Sequence, residues 1–258
     1  MRKKLLLAIL LLSFLIPFWL LLYLSVSTQW YYPALASHPF TAENWQWFFS
    51  GGSALMDSAG LSIGLSVSVS ILATISGFFT SRAIAYYTRS HWWLVSAYFP
   101  YVIAPVVFAV MLNFWFLQLN LSGTLPGVML AQLFITFPYA VIFFYGFWNQ
   151  SIHNLENLVS TMGGGIKTKI KHAILPSARG LLAVCFFQCY LISWFEYGLT
   201  QFIGVGKVQT LTIMVYRYVS EANPHLAALA GVLLVLPPLV LLFVNRRFLL
   251  QNVWSLRA

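Results

Sequence analysis

The sequence predicts an all-α integral membrane protein of six transmembrane helices with both termini in the cytoplasm. Three observations carry that prediction. Of the 258 residues, 60% are hydrophobic and only 7% charged, against about 45–50% and 25% in soluble domains. So few charges cannot cover a soluble surface of this size. Six stretches are long and apolar enough to satisfy their backbone only as membrane-spanning helices. The 22 Phe, 13 Tyr and 10 Trp suit aromatic belts at the two interfaces.

The first span runs from about 5 to 26, behind the basic start Arg2-Lys3-Lys4. Ala34-Leu35-Ala36 resembles a signal-cleavage site, but the apolar run before it is longer than a signal h-region, and a retained helix is expected. A five-helix core follows over about 58–245. Its spans are Ser58–Ile84, Trp92–Leu117, Pro126–Trp148, Leu181–Ile203 and Ala227–Val244, and the whole of 1–258 reads as one transmembrane domain. A tight turn, Gln118 to Leu125, joins the third and fourth spans. Pro100, Pro105, Pro138 and the pair Pro237-Pro238 should kink or break their helices, either as fixed geometry or as hinges.

Orientation follows from the basic residues. With the termini inside, Arg2, Lys3, Lys4, Arg82, Arg89, Lys167, Lys169, Lys171, Arg179, Arg246, Arg247 and Arg257 all face the cytoplasm; only Lys207 and Arg217 lie outside. This bias accounts for the net charge of +9 without a nucleic-acid partner. Residues 27–57, with Trp30, Tyr31, Tyr32, Trp45 and Trp47, form an outer aromatic segment. Residues 149–180 form the one large cytoplasmic loop.

Several patterns suggest chemistry and fail on context. Gly163-Gly164-Gly165-Ile166-Lys167-Thr168 resembles a phosphate-binding loop, but Ile166 stands where that loop needs glycine and no strand precedes it. Gly60-Leu61-Ser62-Ile63-Gly64 fits a hydrolase elbow only inside a spanning helix, where the strand–turn–helix context is missing. Ser58, Ser62, Ser66, Ser70 and Thr74 recur every four residues, a small-residue face that serves close helix packing or lines a pathway. Cys185 and Cys189 share a helix face and read as packing residues. No metal site and no cofactor are expected in this chain.

Two places hold functional promise. In the loop, Leu155, Leu158, Val159 and Met162 follow helical spacing. They form either a stripe that one short helix presses into a partner's groove, or part of a basic loop resting on anionic headgroups. Gly163 to Gly165 break that helix, a basic helix follows, and Leu175-Pro176 stops it before the next span. The second place is Glu196, an acid read inside the fifth span beside Trp194 and Tyr197 and about 24 Å from its cytoplasmic end. It marks a substrate pathway or gate, or it is an interfacial acid paired with Lys207 or Arg217. On the pathway it would favour a cationic solute.

The loop resembles one found in permease subunits of binding-protein-dependent ABC importers: Glu-Ala-Ala, three residues, Gly, nine residues, Ile-x-Leu-Pro. Leu175-Pro176 and Gly163 fall on the Leu-Pro and the glycine with the spacing intact, and Asn157, Leu158 and Val159 occupy the Glu-Ala-Ala positions. Glu156 lies one residue early, and Ala173 replaces the Ile. Phe40 to Trp45 and Arg179-Gly180 are similar to segments of the same family, and Glu196-Tyr197-Gly198, Gln209-Thr210-Leu211 and Tyr216 resemble the subgroup serving iron, thiamine, sulfate, phosphonate or polyamine uptake.

The resemblance implies a type I importer fold in a bacterial cytoplasmic membrane. Leu155, Glu156, Asn157, Leu158, Val159, Met162, Gly163 and Gly164, framed by Leu175 and Pro176, would couple the chain to a cytoplasmic ATPase. Two ATP-binding subunits would hold the ATP and magnesium. A second permease, identical or related, would complete an alternating-access pathway in the lipid bilayer, and an outer solute-binding protein would deliver a small polar solute. An ion-gradient-driven secondary transporter is the rival, and it would place several ionisable groups at the bilayer midplane.

Overall fold

The computed structural model describes residues 2–27, 40–50, 54–88 and 91–255. Trp30, Tyr31, Tyr32, Ala34-Leu35-Ala36, Arg89 and Arg257 lie outside the described residues, as do the side chains of Arg2, Lys3, Lys4, Arg246 and Arg247. Among the described residues the chain is helical, with one isolated bridge (Ser27 to Phe40) and no strand. Four helices are long and apolar enough to cross a membrane: Ala54–Thr88, Leu125–Tyr145, Ile166–Trp194 and Pro224–Phe243. Two shorter apolar helices, Leu15–Ser25 and Val106–Gln118, accompany them. This is an all-α protein of multi-pass membrane character.

The helices, in chain order, are α1 (Arg2–Ser25), α2 (Glu43–Phe49), α3 (Ala54–Ala83, continued by a π turn Ile84–Thr88), α4 (His91–Ala97), α5 (Phe99–Val102) and α6 (Pro105–Gln118). Then come α7 (Leu125–Tyr145), α8 (Gln150–Thr161), α9 (Ile166–Trp194), α10 (Gly198–Gly204), α11 (Leu211–Ser220) and α12 (Pro224–Ser255). They form two compact units. One comprises 1–63 with 209–240, the other 64–208 with 241–258.

In the first unit, polar groups tie the end of α1 to its neighbours. His225 Nδ1 lies 3.0 Å from the Ser27 hydroxyl and 3.2 Å from the Leu24 carbonyl. The Asn44 amide donates to the Ser27 carbonyl at 3.1 Å, and the Ser62 hydroxyl accepts the backbone N–H of Leu211 at 2.7 Å. Buried donors and acceptors need such partners, and here they bind α1, α2 and α12 together and tie α11 to the start of α3.

The second unit is built around α7 and α9. Ala73, Phe78, Ala140, Phe144, Trp148, Ile174, Ala178, Cys185 and Cys189 form its buried cluster. Both cysteines are fully buried there, as their packing role requires. Gly77 lets α3 approach α7 closely: a Cβ at this position would stand 2.4 Å from the Ala140 Cβ and 3.0 Å from its backbone carbonyl carbon. All five members of the small-residue face, Ser58 to Thr74, are buried, which favours packing over pathway lining.

Several expected spans are corrected. The third is three helices, not one; α5 and α6 part because Ala104 precedes Pro105 and is held extended (ψ 132°), as is Ile103 (ψ 137°). Pro100 sits in the first turn of α5, where its missing N–H is harmless. Pro138 does not break α7. The Tyr101 hydroxyl donates to the Ile135 carbonyl three residues before that proline, next to the Phe134 carbonyl that the proline leaves without its helical donor. Pro237-Pro238 likewise stay within α12.

Leu175-Pro176 is not a stop either. Residues 169–174 wind as a π turn, in which the Leu175 N–H reaches the Ile170 carbonyl, and the helix runs on to Trp194. The fifth span therefore begins at Ile166 and ends well before Ile203.

Candidate functional site

The loop helix α8 starts where Asn149 caps it, its side chain accepting the Ile152 N–H at 3.1 Å. It ends in a Schellman turn: the Gly163 N–H donates to Ser160 O and the Gly164 N–H to Val159 O, both at 2.9 Å. Gly163 has φ +79°, the left-handed conformation that glycine adopts without cost. A Cβ at Gly164 would meet Val159 Cγ1 at 2.5 Å and its carbonyl oxygen at 2.8 Å. The chain then turns into α9 at Ile166.

The expected apolar stripe divides. Leu155 and Val159 are half-buried, whereas Leu158 (58% exposed) and Met162 (80%) face outward with Ile166 (71%). Asn157, Gly163, Leu175 and Pro176 are exposed. The apolar face open to a partner is therefore Leu158, Met162 and Ile166.

Glu156 turns the other way. Only 5% exposed, it accepts the Arg82 Nη2 at 2.7 Å and the Arg82 Nε at 3.2 Å, a bidentate pair. The guanidinium carbon also lies 5.7 Å from the Tyr86 ring centre and 5.9 Å from that of Trp148, within cation–π range. The Trp148 indole N–H donates to the buried Ser81 hydroxyl at 2.8 Å. Tyr86 and His153 meet edge-on at 5.1 Å. Sequence reasoning placed Arg82 by charge bias alone; its separation of 74 residues from Glu156 left no periodic signal.

Glu196 is relocated. It follows the end of α9, and its carboxylate accepts the N–H of Leu199 at 2.7 Å, the N–H of Thr200 at 2.9 Å and the Thr200 hydroxyl at 2.8 Å. This acid starts α10 by satisfying its first donors, a local competition that ends the preceding helix. Neither Lys207 nor Arg217 is its ion-pair partner; Arg217 pairs with Glu221 at 2.9 Å on an exposed helix face. Trp194 is fully buried and stacked on Tyr190 at 5.5 Å, so it is core. Tyr197 is half-buried.

A buried polar chain missed in the sequence continues from this cap. The Gln132 amide donates to Thr200 Oγ1 at 3.0 Å, and the Ser193 hydroxyl donates to Gln132 Oε1 at 2.6 Å. Gln132 is 1% exposed and joins α7, α9 and α10. The signal available was a lone amide in an otherwise apolar span.

No protein-family model matches the chain. Over 150 residues it is 28% identical to sulfate permease 2, chloroplastic, of Chlamydomonas reinhardtii. That alignment takes in 52% of this chain and 41% of the relative, so the chain spans about two fifths of the relative's length.

Proposed function

We propose that this chain is a transmembrane transport protein, and specifically the permease subunit of an ATP-driven ABC importer. With a second permease it forms an alternating-access pathway, and it couples through the segment 149–180 to a pair of cytoplasmic ATPases that hold ATP and magnesium. The membrane is a bacterial cytoplasmic membrane, and an outer binding protein supplies the solute.

One observation carries the reading. A short helix, α8, lies between two long apolar helices, is anchored by Glu156, and exposes Leu158 and Met162 before a glycine turn, with Ile166 exposed just after it. Three large apolar side chains around the end of a loop helix and its turn suit insertion into a protein groove. The exposed Lys167 and Lys171 next to them suit the cytoplasmic side. The spacing of Gly163 and Leu175-Pro176 matches the importer loop.

The likeness to a sulfate permease supports a transport role and makes a small oxyanion the first solute to test. Glu196 no longer argues for a cation, because its oxygens are occupied by the start of α10.

The test is purification of the tagged protein in mild detergent, with every co-purifying subunit identified by mass spectrometry. It is followed by labelled-sulfate uptake into proteoliposomes with and without internal ATP. An ATPase in the complex and ATP-dependent uptake are expected. A protein that purifies alone and moves solute only down an ion gradient overturns the reading in favour of a secondary transporter.

A further inference from the structure

We propose that the Arg82–Glu156 ion pair carries movement of α8 into α3, a helix that the chain does not join to α8. The inference rests on the importer reading above. By covalent connection, a partner seated on α8 moves only α7, through the turn at 146–149, and α9, through the glycine turn. The ion pair adds a third helix.

Three features make this link directional. The bidentate geometry fixes orientation as well as distance, since both oxygens of Glu156 are engaged by two nitrogens of one planar group. The surroundings hold the pair in place: Tyr86 and Trp148 flank the guanidinium, and Trp148 is itself bonded to Ser81, the residue before Arg82. The third feature is the split of α8 into two faces, with Glu156 inward and Leu158 and Met162 outward. A push on the exposed face is delivered to the anchored one.

Stability alone is a weak reason for such a pair, because well-packed apolar residues serve a buried site equally well. An oriented pair between a partner-facing helix and an otherwise unconnected span suits a transmitting contact. Glu156 is also withdrawn from the partner: its carboxylate belongs to Arg82, and the ATPase meets the apolar face.

The experiment uses the whole complex with its ATPase in proteoliposomes and needs no solute. One cysteine is placed at Ala83, exposed at the end of α3, and in a parallel protein at Thr161, exposed on α8. The native Cys185 and Cys189 are fully buried and stay unlabelled. Maleimide labelling rates are compared without nucleotide and in the vanadate-trapped state.

In the otherwise unaltered complex both sites should change rate on trapping. In R82Q and in E156Q, Thr161→Cys should keep its response, while the response of Ala83→Cys should fall by about 2- to 30-fold, the range expected of a coupling residue. The charge-swapped R82E/E156R should recover it. An unchanged Ala83→Cys response in the single variants overturns the inference, and so does an assembled swap that fails to recover it. Where the single variants do not accumulate, the swap is read alone by the same criterion. A complex in which neither site responds, or in which no ATPase is recovered, overturns the importer reading instead.

Discussion

Replacing Glu196 separates a structural acid from a solute-binding one. In Glu196→Ala, the Leu199 and Thr200 N–H groups lose acceptors at 2.7 and 2.9 Å, and both residues are fully buried. Each orphaned buried donor costs about 1–3 kcal/mol. The Thr200 hydroxyl loses its acceptor as well, while its oxygen still receives the Gln132 amide. A loss of about 3 kcal/mol is expected, which lowers the melting temperature by roughly 6–12 °C on the scaling for chains of 150–250 residues. Glu196→Gln keeps one carbonyl oxygen and should fall about midway. The assay is thermal unfolding in detergent by size-exclusion chromatography, paired with labelled-sulfate uptake normalised to folded protein. Uptake per folded molecule should change little in either variant. A Glu196→Gln protein that melts like the wild type and transports nothing would refute the capping argument and return the carboxylate to the pathway.

Gly77→Ala should destabilise the protein by about 1–3 kcal/mol, the usual cost of overpacking, because its Cβ meets Ala140 at 2.4 Å. Gly60→Ala and Gly64→Ala, with nothing within 4 Å, should be neutral or gain up to about 1 kcal/mol of helix propensity; thermal unfolding of the three side by side checks both signs. Gln132→Leu removes the partner of the Ser193 hydroxyl and should cost about 1–2 kcal/mol, read as a lower melting temperature without a change in subunit composition. Leu158→Asp and Met162→Asp leave the core untouched, so their melting temperatures should match the wild type. ATPase recovery should fall at least about tenfold, a loss of about 1.4 kcal/mol, and full recovery would remove α8 from the interface.

Much of the fold is legible in the sequence because membrane helices are written by length and apolarity. The turn between α6 and α7 falls at the residues expected, and the glycine break after Thr161 closes as the sequence suggests. What fails is local competition between side chain and backbone. Glu196 looks like an intramembrane charge when only spacing is counted, yet its carboxylate captures the N–H groups three and four residues ahead and ends the helix. Leu175-Pro176 looks like a stop, yet a π turn places the proline where its missing donor is tolerated. Pro105 acts as a breaker and Pro138 does not. Ala104 takes the extended conformation that precedes a proline, whereas α7 stays helical through Pro138, with the Tyr101 hydroxyl of a different helix donating to its Ile135 carbonyl. Composition cannot foresee a partner that distant in the chain.

The same limit governs the functional surface. A helical stripe predicts that Leu155, Leu158, Val159 and Met162 act together, because periodicity alone cannot tell the protein side of a helix from the partner side. The acid decides it. Glu156 is drawn to Arg82, and that rotation carries Leu155 and Val159 partly inward while turning Leu158 and Met162 out. The pair also removes the one negative charge from the segment. What α8 and the start of α9 then offer a partner is Leu158, Met162 and Ile166 with the exposed Lys167 and Lys171 next in the chain. An apolar centre with a basic rim is complementary to an apolar groove bordered by carboxylates, and rim charges act chiefly on the rate of encounter. In the proposed complex the core of the contact would therefore set how long an ATPase stays, and its rim how fast it arrives.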